Sequence, residues 1–270
     1  MIKKFVRTVF LIVCSLISVF PLYWMFTFSL KENKEIFGGN VIGLPHIWKM
    51  ENYRAVIENT AVVKNFVNSM IVAVLTVIFT LLLSSMAAYA LNRLVWKLSR
   101  FVYVLFLVGI MLPMHAVLLP LYRNLHSILN GYMALVIPYV AFQMPLTILI
   151  LSGALQSFPL ELEESAFIDG ANIYKIFFRI IMPLMRPYLA TTAILAWLAS
   201  WNEFMLAVTF VTDSAHKTLT AGILELIGKY TTRWGEVGAG LTISVLPTLV
   251  IYISLSKSIQ KSLVAGAIKG

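Results

Sequence analysis

Charged residues are scarce in this sequence. Asp, Glu, Lys and Arg together make up 12% of the 270 residues, about half the usual share in globular proteins. Hydrophobic types make up 60%, and the mean hydropathy is +0.87. A soluble domain of this length has too little interior to hide so much apolar surface, so the composition favours a protein whose solvent is lipid.

Cysteine and the motifs of membrane enzymes are also missing or nearly so. The single cysteine, Cys14, lies in an apolar run, so no disulfide can form within the chain and no cysteine-based metal site is indicated. No H-E-x-x-H or G-x-S-x-G motif is present, and the 4 histidines are scattered. We therefore predict no catalytic residue and no metal site on this chain.

A phosphate-binding loop of the form G-x-x-x-x-G-K-[ST] is absent as well. Gly228-Lys229 is followed by Tyr230, which cannot replace the hydroxyl residue of that loop. We therefore expect no nucleotide cofactor on this chain.

Long apolar runs are what the sequence has in abundance. Six approach the ~20 residues that a helix needs to cross a bilayer, and they are continuously apolar rather than alternating, which predicts helices and not a β-barrel. We predict an all-α membrane protein with one transmembrane domain over residues 1–270. The predicted spans are 8–28, 66–91, 101–122, 132–155, 188–211 and 237–259.

The net charge of +9 indicates membrane topology rather than nucleic-acid binding, because the basic residues lie between apolar runs and not in one patch. The short segment after the second span contains Arg93, Lys97 and Arg100 and no acid. Placing that segment inside predicts a multi-pass protein of the cell membrane with both termini in the cytoplasm. The first apolar run is too long for a signal-peptide core, so we predict that it is retained.

Prolines interrupt several of the predicted spans. Pro113 and Pro120 lie in the third, Pro138 and Pro145 in the fourth, and Pro247 in the sixth. Each removes a backbone donor and tends to bend its helix. Bent helices are common around transport paths, although ordinary membrane packing also tolerates them.

The segment 156–187, between the fourth and fifth spans, has its own local structure. Pro159 followed by acids fits the start of a helix, and Gly170 can end that helix in a left-handed conformation. Asp169 or Asn172 could cap a second, amphipathic helix that Pro183 limits. From the residues alone, docking of a partner and lying on the membrane surface are equally good interpretations of this element.

A resemblance distinguishes the two interpretations. The segment is similar to the EAA loop of the permeases of binding-protein-dependent ABC importers, with Ser165 where that family usually has a second alanine. The matching residues are Glu164, Ala166, Asp169, Gly170, Ala171, Phe177 and Pro183.

Further segments resemble the carbohydrate-uptake branch of that family, the maltose-like and multiple-sugar permeases of the smaller subunit type. They lie along nearly the whole chain. They are Pro21 to Trp24 with Ser29 to Lys31, Asn68-Ser69, Tyr89 to Arg93, Trp201 to Phe204, and Ala265 to Gly270.

The resemblance implies the type I ABC importer permease fold, with six transmembrane helices and a cytoplasmic coupling helix. It also implies that this chain works with several other proteins. A second permease subunit would complete the path, an ABC ATPase dimer would bind ATP and Mg, and an extracellular or periplasmic solute-binding protein would deliver the sugar. Membrane lipid would surround the spans, and no nucleic acid is expected as a partner.

Particular residues acquire roles only through this resemblance. Ala166 and Gly170 would permit close approach of the ATPase, and Glu164 could pair with a basic residue on it. The ATPase-coupling set implied is Glu164, Ala166, Asp169, Gly170 and Ala171.

Polar residues within the spans are the candidates for a substrate path. Aromatic faces with amide or carboxylate groups suit sugar rings and hydroxyls, and the predicted set is Gln143, Trp201, Asn202 and Glu203. His115 and Arg123 are further candidates. Each of these residues could instead satisfy the protein's own backbone or mark the membrane edge.

Two other functions stay open at this stage. A permease of the same fold could carry an amino acid, phosphate or a polyamine, and a membrane enzyme is a more remote alternative. The sequence names neither the sugar nor the partner subunits, and it does not say whether the two permease subunits are identical.

Overall fold

The computed structural model describes residues 2–94, 96–228 and 231–267, and it describes side chains as far as residue 254. Within those ranges the chain is helical and contains no strand. The α-helices are α1 (Ile2–Ser29), α2 (Asn33–Phe37), α3 (Glu51–Asn59), α4 (Val62–Arg93), α5 (Ser99–Ile110), α6 (Leu118–Asn124), α7 (Tyr132–Leu155), α8 (Glu161–Ile168), α9 (Ile173–Ile176), α10 (Met182–Leu184), α11 (Arg186–Trp201), α12 (Met205–Phe210), α13 (Leu219–Ile223) and α14 (Trp234–Ala267).

Four of the described helices are individually long and apolar enough to cross a membrane, namely α1, α4, α7 and α14. Two further pairs meet the same requirement as bent units. One joins Ser99–Ile110 to Met114–Asn124 with a bend of 95°, and the other joins Ile173–Leu184 to Arg186–Trp201 with a bend of 77°. The described chain therefore supplies four spans, or six if each bent pair is one span.

The predicted third span, 101–122, is divided by a sharp bend next to Pro113, one of the two prolines expected to bend it, and that its two halves form one span stays a prediction. α5 ends at Ile110, and Pro113 adopts an extended conformation with φ −71° and ψ 121°. A 3₁₀ turn over Met114–Val117 then leads into α6. Because Pro113 has no N–H and disfavours helix in the residue before it, the sharp break falls where the sequence places the proline.

The fifth predicted span, 188–211, is also divided. α11 begins at Arg186 and ends at Trp201, and the short α12 follows it. Before α11, the backbone widens into a π-helix over Phe177–Ile181 and stays helical through Leu184. Pro183 therefore does not end the second helix of the 156–187 segment. Pro183 has no N–H, so the carbonyl of Arg179 cannot accept the usual helical hydrogen bond from it. The wider turn of the π-helix accommodates this loss.

Packing divides the chain into two compact units, one formed by residues 1–66 with 219–247 and the other by residues 67–218 with 248–270. The prediction of a single domain stays a prediction. In the second unit α7 packs against α5 and α11, and 56% of its most apolar stretch is buried, compared with 0% for α1. Gly109 permits a close approach there, since a Cβ built on it would lie 3.1 Å from Pro145.

The first unit holds the polar segment that follows α1. Two short helices, α2 and α3, lie in this segment. Asn33 joins the two parts of this unit, residues 1–66 and 219–247. Its amide donates to the carbonyl of Thr232 at 2.5 Å, and its Oδ1 accepts the N–H of Trp234 at 2.9 Å. Gly238 of α14 lies against Phe28 and Ser29 at the end of α1.

Candidate coupling site and substrate path

The turned element expected from the 156–187 segment is present. α8 begins at Glu161, with three acids in its first turn, where they favour the positive end of the helix dipole. Gly170 follows it at φ +78°, a left-handed conformation that favours glycine. Asn172 then caps the next helix, because its side chain accepts the N–H of Lys175 at 2.9 Å. Of the two candidate caps, Asn172 and not Asp169 fills this position.

The predicted coupling residues lie on two different faces of this element. Glu164, Asp169 and Gly170 are exposed, whereas Ala166 and Ala171 are buried against the chain's own helices. Both alanines join a cluster of buried residues that includes Tyr89, Leu155 and Phe177. Their small side chains therefore allow close packing within the subunit, and contact of either alanine with a partner stays a prediction.

Two large apolar side chains stand exposed at the turn. Ile168 is 86% exposed and Phe167 is 55% exposed. They adjoin Glu164 and Asp169, so the element presents an apolar surface bordered by carboxylates. Apolar side chains grouped in this way mark interaction surfaces more often than singly scattered ones do.

Glu163, which the sequence reasoning passed over, is the buried acid of α8. Its Oε1 lies 2.8 Å from Nε of Arg93 without hydrogen-bond alignment, so this contact is ionic. Its Oε2 accepts the hydroxyl of Tyr89 at 2.9 Å. The side chains of Arg93 and Glu163 are only 8% and 9% exposed.

The sequence carried a weak signal for this arrangement. Glu163 lies three residues before Ala166, so the two share a helix face, and a small residue on that face indicates close packing. Three acids in four positions gave no means of telling the buried one from its exposed neighbours. Only the fold brings Arg93 and Tyr89, about 70 positions earlier in the sequence, to the same point.

Glu203 is a second buried acid, 7% exposed, located where α11 gives way to α12. Its carboxylate accepts the N–H of Leu206 at 2.9 Å, the N–H of Ala207 at 3.1 Å and the hydroxyl of Tyr139 at 2.7 Å. Nε2 of His115 lies 3.6 Å from it. The break after Trp201 thus exposes backbone donors that this carboxylate satisfies.

An open cleft reaches this carboxylate. Its lining is largely apolar, with three polar side chains among the residues Met114, His115, Leu198, Ala199, Asn202, Glu203, Phe204 and Met205. The structure thus brings two predicted path residues, Asn202 and Glu203, to one cleft.

The other two predicted path residues do not line this cleft. Trp201 is buried and stacks on Trp197 with ring centroids 5.1 Å apart. Gln143 is half-buried in the middle of α7. Contact of either residue with a solute stays a prediction. Tyr139, which donates to Glu203, was missed by the sequence reasoning because a tyrosine in an apolar run reads as ordinary packing.

Together, the apolar helices and the turned, partly exposed α8 element define a multi-pass α-helical membrane protein with one specialised connection between spans. Residues 80–265 match the family described as binding-protein-dependent transport system inner membrane component. The chain belongs to this family of membrane permeases.

Curated relatives extend the similarity over almost the whole chain. A probable ABC transporter permease protein, YurM of Bacillus subtilis (strain 168), is 36% identical over 264 residues, covering 97% of this chain and 87% of the relative. The trehalose/maltose transport system permease protein MalG of Thermococcus litoralis is 33% identical, covering 100% and 98%.

A solved structure supports the fold. One chain of a bacterial ABC transporter involved in the import of the acidic polysaccharide alginate superposes with a TM-score of 0.83 at 21% sequence identity. The match covers 96% of this chain and 96% of that chain. The chain therefore has the fold of an ABC importer permease.

Proposed function

We propose that this chain is the permease subunit of an ABC importer that carries a sugar or oligosaccharide across the cell membrane. Relatives that match nearly the full chain include a trehalose/maltose permease, and the structural neighbour belongs to an importer of a polysaccharide. The observation that carries the proposal is the exposed α8 turn, because a chain that only spans the membrane has no need of it.

The ATPase is proposed to dock on the exposed face of α8 and its turn. Ile168 and Phe167 offer apolar surface, and Glu164 and Asp169 offer charges that a basic residue on the ATPase can pair with. ATP and Mg would be held by that separate ATPase dimer. The acids that border the apolar residues support docking of a partner over a segment that lies on the membrane surface.

The cleft at Glu203 is proposed as this subunit's part of the substrate path. Carboxylate and amide groups beside an apolar lining suit sugar hydroxyls and ring faces. Asn202 is exposed, and its amide nitrogen donates to the carbonyl of Leu198 at 2.9 Å, a hydrogen bond that does not use its side-chain oxygen. A second permease subunit would supply the rest of the path.

The segment after α1 is proposed to receive the solute-binding protein on the outer side, which places both termini in the cytoplasm. A second open cleft lies here, among Lys31, Glu32, Lys49, Glu51, Arg233 and Glu236. Lys31 is fully buried and donates to the carbonyls of Asn40 and Val41 at 2.8 and 3.2 Å. Burial lowers the pKa of Lys31, although the negative charge of Glu35 acts in the opposite direction. The two hydrogen bonds of Lys31 hold this loop from within. The charged residues that line the cleft are proposed to face the solute-binding protein.

The test uses the complete importer: this chain co-produced with its ATPase, second permease subunit and solute-binding protein, and reconstituted in vesicles. Uptake of maltose, trehalose, glycine, phosphate and spermidine is compared. We expect ATP-dependent uptake of a sugar. We also expect Glu164→Lys and Gly170→Pro to reduce that uptake at least about tenfold, the scale of ordinary coupling free energies, while the complex still assembles.

Gly39 offers a matched control for Gly170. Both have positive φ, +103° and +78°, and a Cβ added to either meets no atom within 4 Å. Gly170→Ala and Gly39→Ala therefore impose similar backbone strain. The first lies at the proposed ATPase contact, and the second lies in the segment proposed to receive the solute-binding protein. ATPase coupling should fall for Gly170→Ala and persist for Gly39→Ala. Full uptake by both Glu164→Lys and Gly170→Pro, or uptake without any ATPase, would refute the proposal.

A further inference from the structure

α8 is attached to the rest of the subunit at very few points. Of its eight residues, only Glu163 and Ala166 are buried. Ala166 contributes a methyl group, which packs closely against its neighbours but makes no hydrogen bond or ion pair. Glu163 is therefore the one buried side chain of α8 that makes directional contacts with other elements.

Those contacts reach two membrane-spanning helices at the same end of the second unit. Tyr89 and Arg93, both from the last turns of α4, contact the Glu163 carboxylate. Nη2 of Arg93 also donates to the carbonyls of Leu155 and Phe158, each at 2.8 Å. Leu155 is the last residue of α7, so Arg93 satisfies terminal carbonyls of α7 while it pairs with α8.

α4 and α7 do not depend on Glu163 for their own connection. The amide of Asn92 donates to Oγ of Ser152 at 2.8 Å and links the two helices directly. The buried ion pair therefore adds a polar connection between these spans and α8, beside the apolar contact of Ala166.

Stability alone does not explain this pair. Desolvation of two buried charges cancels much of their attraction, and replacing such a pair by apolar residues is often neutral or favourable. What the carboxylate gains is a fixed orientation, because the Tyr89 hydroxyl bonds to one of its oxygens while the charge of Arg93 attracts the other. A joint that transmits force needs that property.

We propose that Glu163, Arg93 and Tyr89 form a rigid link that makes α8 move as one body with α4 and α7 when the ATPase changes state. This inference rests on the proposed function, since it assumes that α8 receives the ATPase. The three side chains are positioning residues: Glu164 and the exposed turn meet the partner, and the buried link carries the displacement to the membrane helices.

The test measures the distance between spin labels by double electron–electron resonance in the assembled importer. Cys14 is first changed to Ser, and labels are placed on Met86→Cys in α4 and Leu162→Cys in α8, both exposed positions. With Glu163 intact, we expect one distance that is the same in the nucleotide-free state and in the ATP–vanadate state. With Glu163→Gln, we expect a broader distribution whose mean shifts between the two states.

Two further variants separate transmission from folding. Glu163→Gln with Arg93→Gln removes both charges and so leaves no unpaired buried ion. It should assemble and hydrolyse ATP, and it should still show the nucleotide-dependent distance. Glu161→Gln, an exposed acid two positions away, should keep the invariant distance.

Two outcomes would overturn the inference: a distance that changes with nucleotide while Glu163 is intact, or one that stays invariant in the doubly neutral variant. Neither would disturb the proposed function, whose failure has a different signature. In that case the ATPase would not assemble with this chain, or Glu164→Lys and Gly170→Pro would leave uptake intact.

Discussion

The two buried carboxylates of the second unit resemble each other and differ in one respect. Glu163 and Glu203 are each 7% exposed, and each accepts a hydroxyl hydrogen bond from a tyrosine located more than sixty positions earlier. Glu163 is balanced by the permanent charge of Arg93 at 2.8 Å. Glu203 accepts backbone N–H groups of α12, and Nε2 of the largely exposed His115 lies 3.6 Å from it.

Because of this difference, Glu163 is part of a buried ion pair, whereas Glu203 is accessible from an open cleft. A guanidinium stays charged at any physiological pH, so the Glu163 contact does not respond to its surroundings. His115 and Glu203, by contrast, line an open cleft. The same kind of carboxylate thus suits mechanical connection at one place and solute contact at the other.

The largest effect is expected on removing Arg93. Arg93→Met leaves the Glu163 carboxylate buried with only Tyr89, and breaking a buried pair in this way typically costs about 3–5 kcal/mol. His115→Ala removes the corresponding neighbour of Glu203, which keeps its backbone hydrogen bonds, so its stability should hardly change. Thermal unfolding of the purified complex in detergent measures both.

The double variant Glu163→Gln with Arg93→Met should recover most of the stability lost by Arg93→Met alone. If Arg93→Met unfolds no more easily than His115→Ala, the contrast between a permanently balanced and a backbone-held carboxylate is incorrect.

A smaller effect is expected on removing the tyrosine hydroxyls. Hydrogen bonds to charged groups contribute roughly 1.5–3 kcal/mol. Tyr139→Phe should approach that range, because its hydroxyl donates to the Glu203 carboxylate at 2.7 Å and both residues are buried. Tyr89→Phe should cost less, since Arg93 continues to balance Glu163. The two variants are compared by the same thermal unfolding measurement, and an equal or reversed order would contradict the expectation.

The smallest effect concerns a third carboxylate, Glu35, outside the membrane-spanning segments. Burial by itself raises its pKa, but hydrogen bonds from the backbone N–H and ring of His46 and from the Asn40 amide outweigh that effect, so its pKa is lowered from the ordinary 4.5. A lowered pKa means that the ionised form is favoured by folding. Its stabilisation is therefore present above pH 4.5 and is lost as the pH falls below it.

Glu35→Gln provides the comparison for this carboxylate. The melting temperatures of the variant and the unchanged protein should differ modestly at neutral pH and converge in acid. A difference that stays constant through the acid range would show that the charge of Glu35 contributes nothing.

Much of the fold was accessible from patterns in the sequence. Continuous apolar runs required helices, since a bilayer leaves backbone groups no other partner. Gly170 predicted the turn of the coupling segment, which is confirmed, and of the two candidate caps, Asp169 and Asn172, the structure uses Asn172. Pro113 indicated a bend and Pro183 a limit to its helix, but how far each helix bends or extends depends on the packing around it. The residues Ala265 to Gly270, whose resemblance contributed to the sugar assignment, lie outside the part of the chain with described side chains.

The sequence by itself determined that this chain spans the membrane several times, carries a turned element between spans and belongs with ABC permeases. These properties follow from local composition and short motifs, which depend on residues near one another in the chain. Only the tertiary structure decided which acid of α8 is buried, that Ala166 faces inward, and that Asn202 and Glu203 reach a cleft that Trp201 does not line. The physical reason is that burial of a charge depends on a partner brought from elsewhere, and Arg93 and Tyr139 reach their carboxylates only when the helices pack.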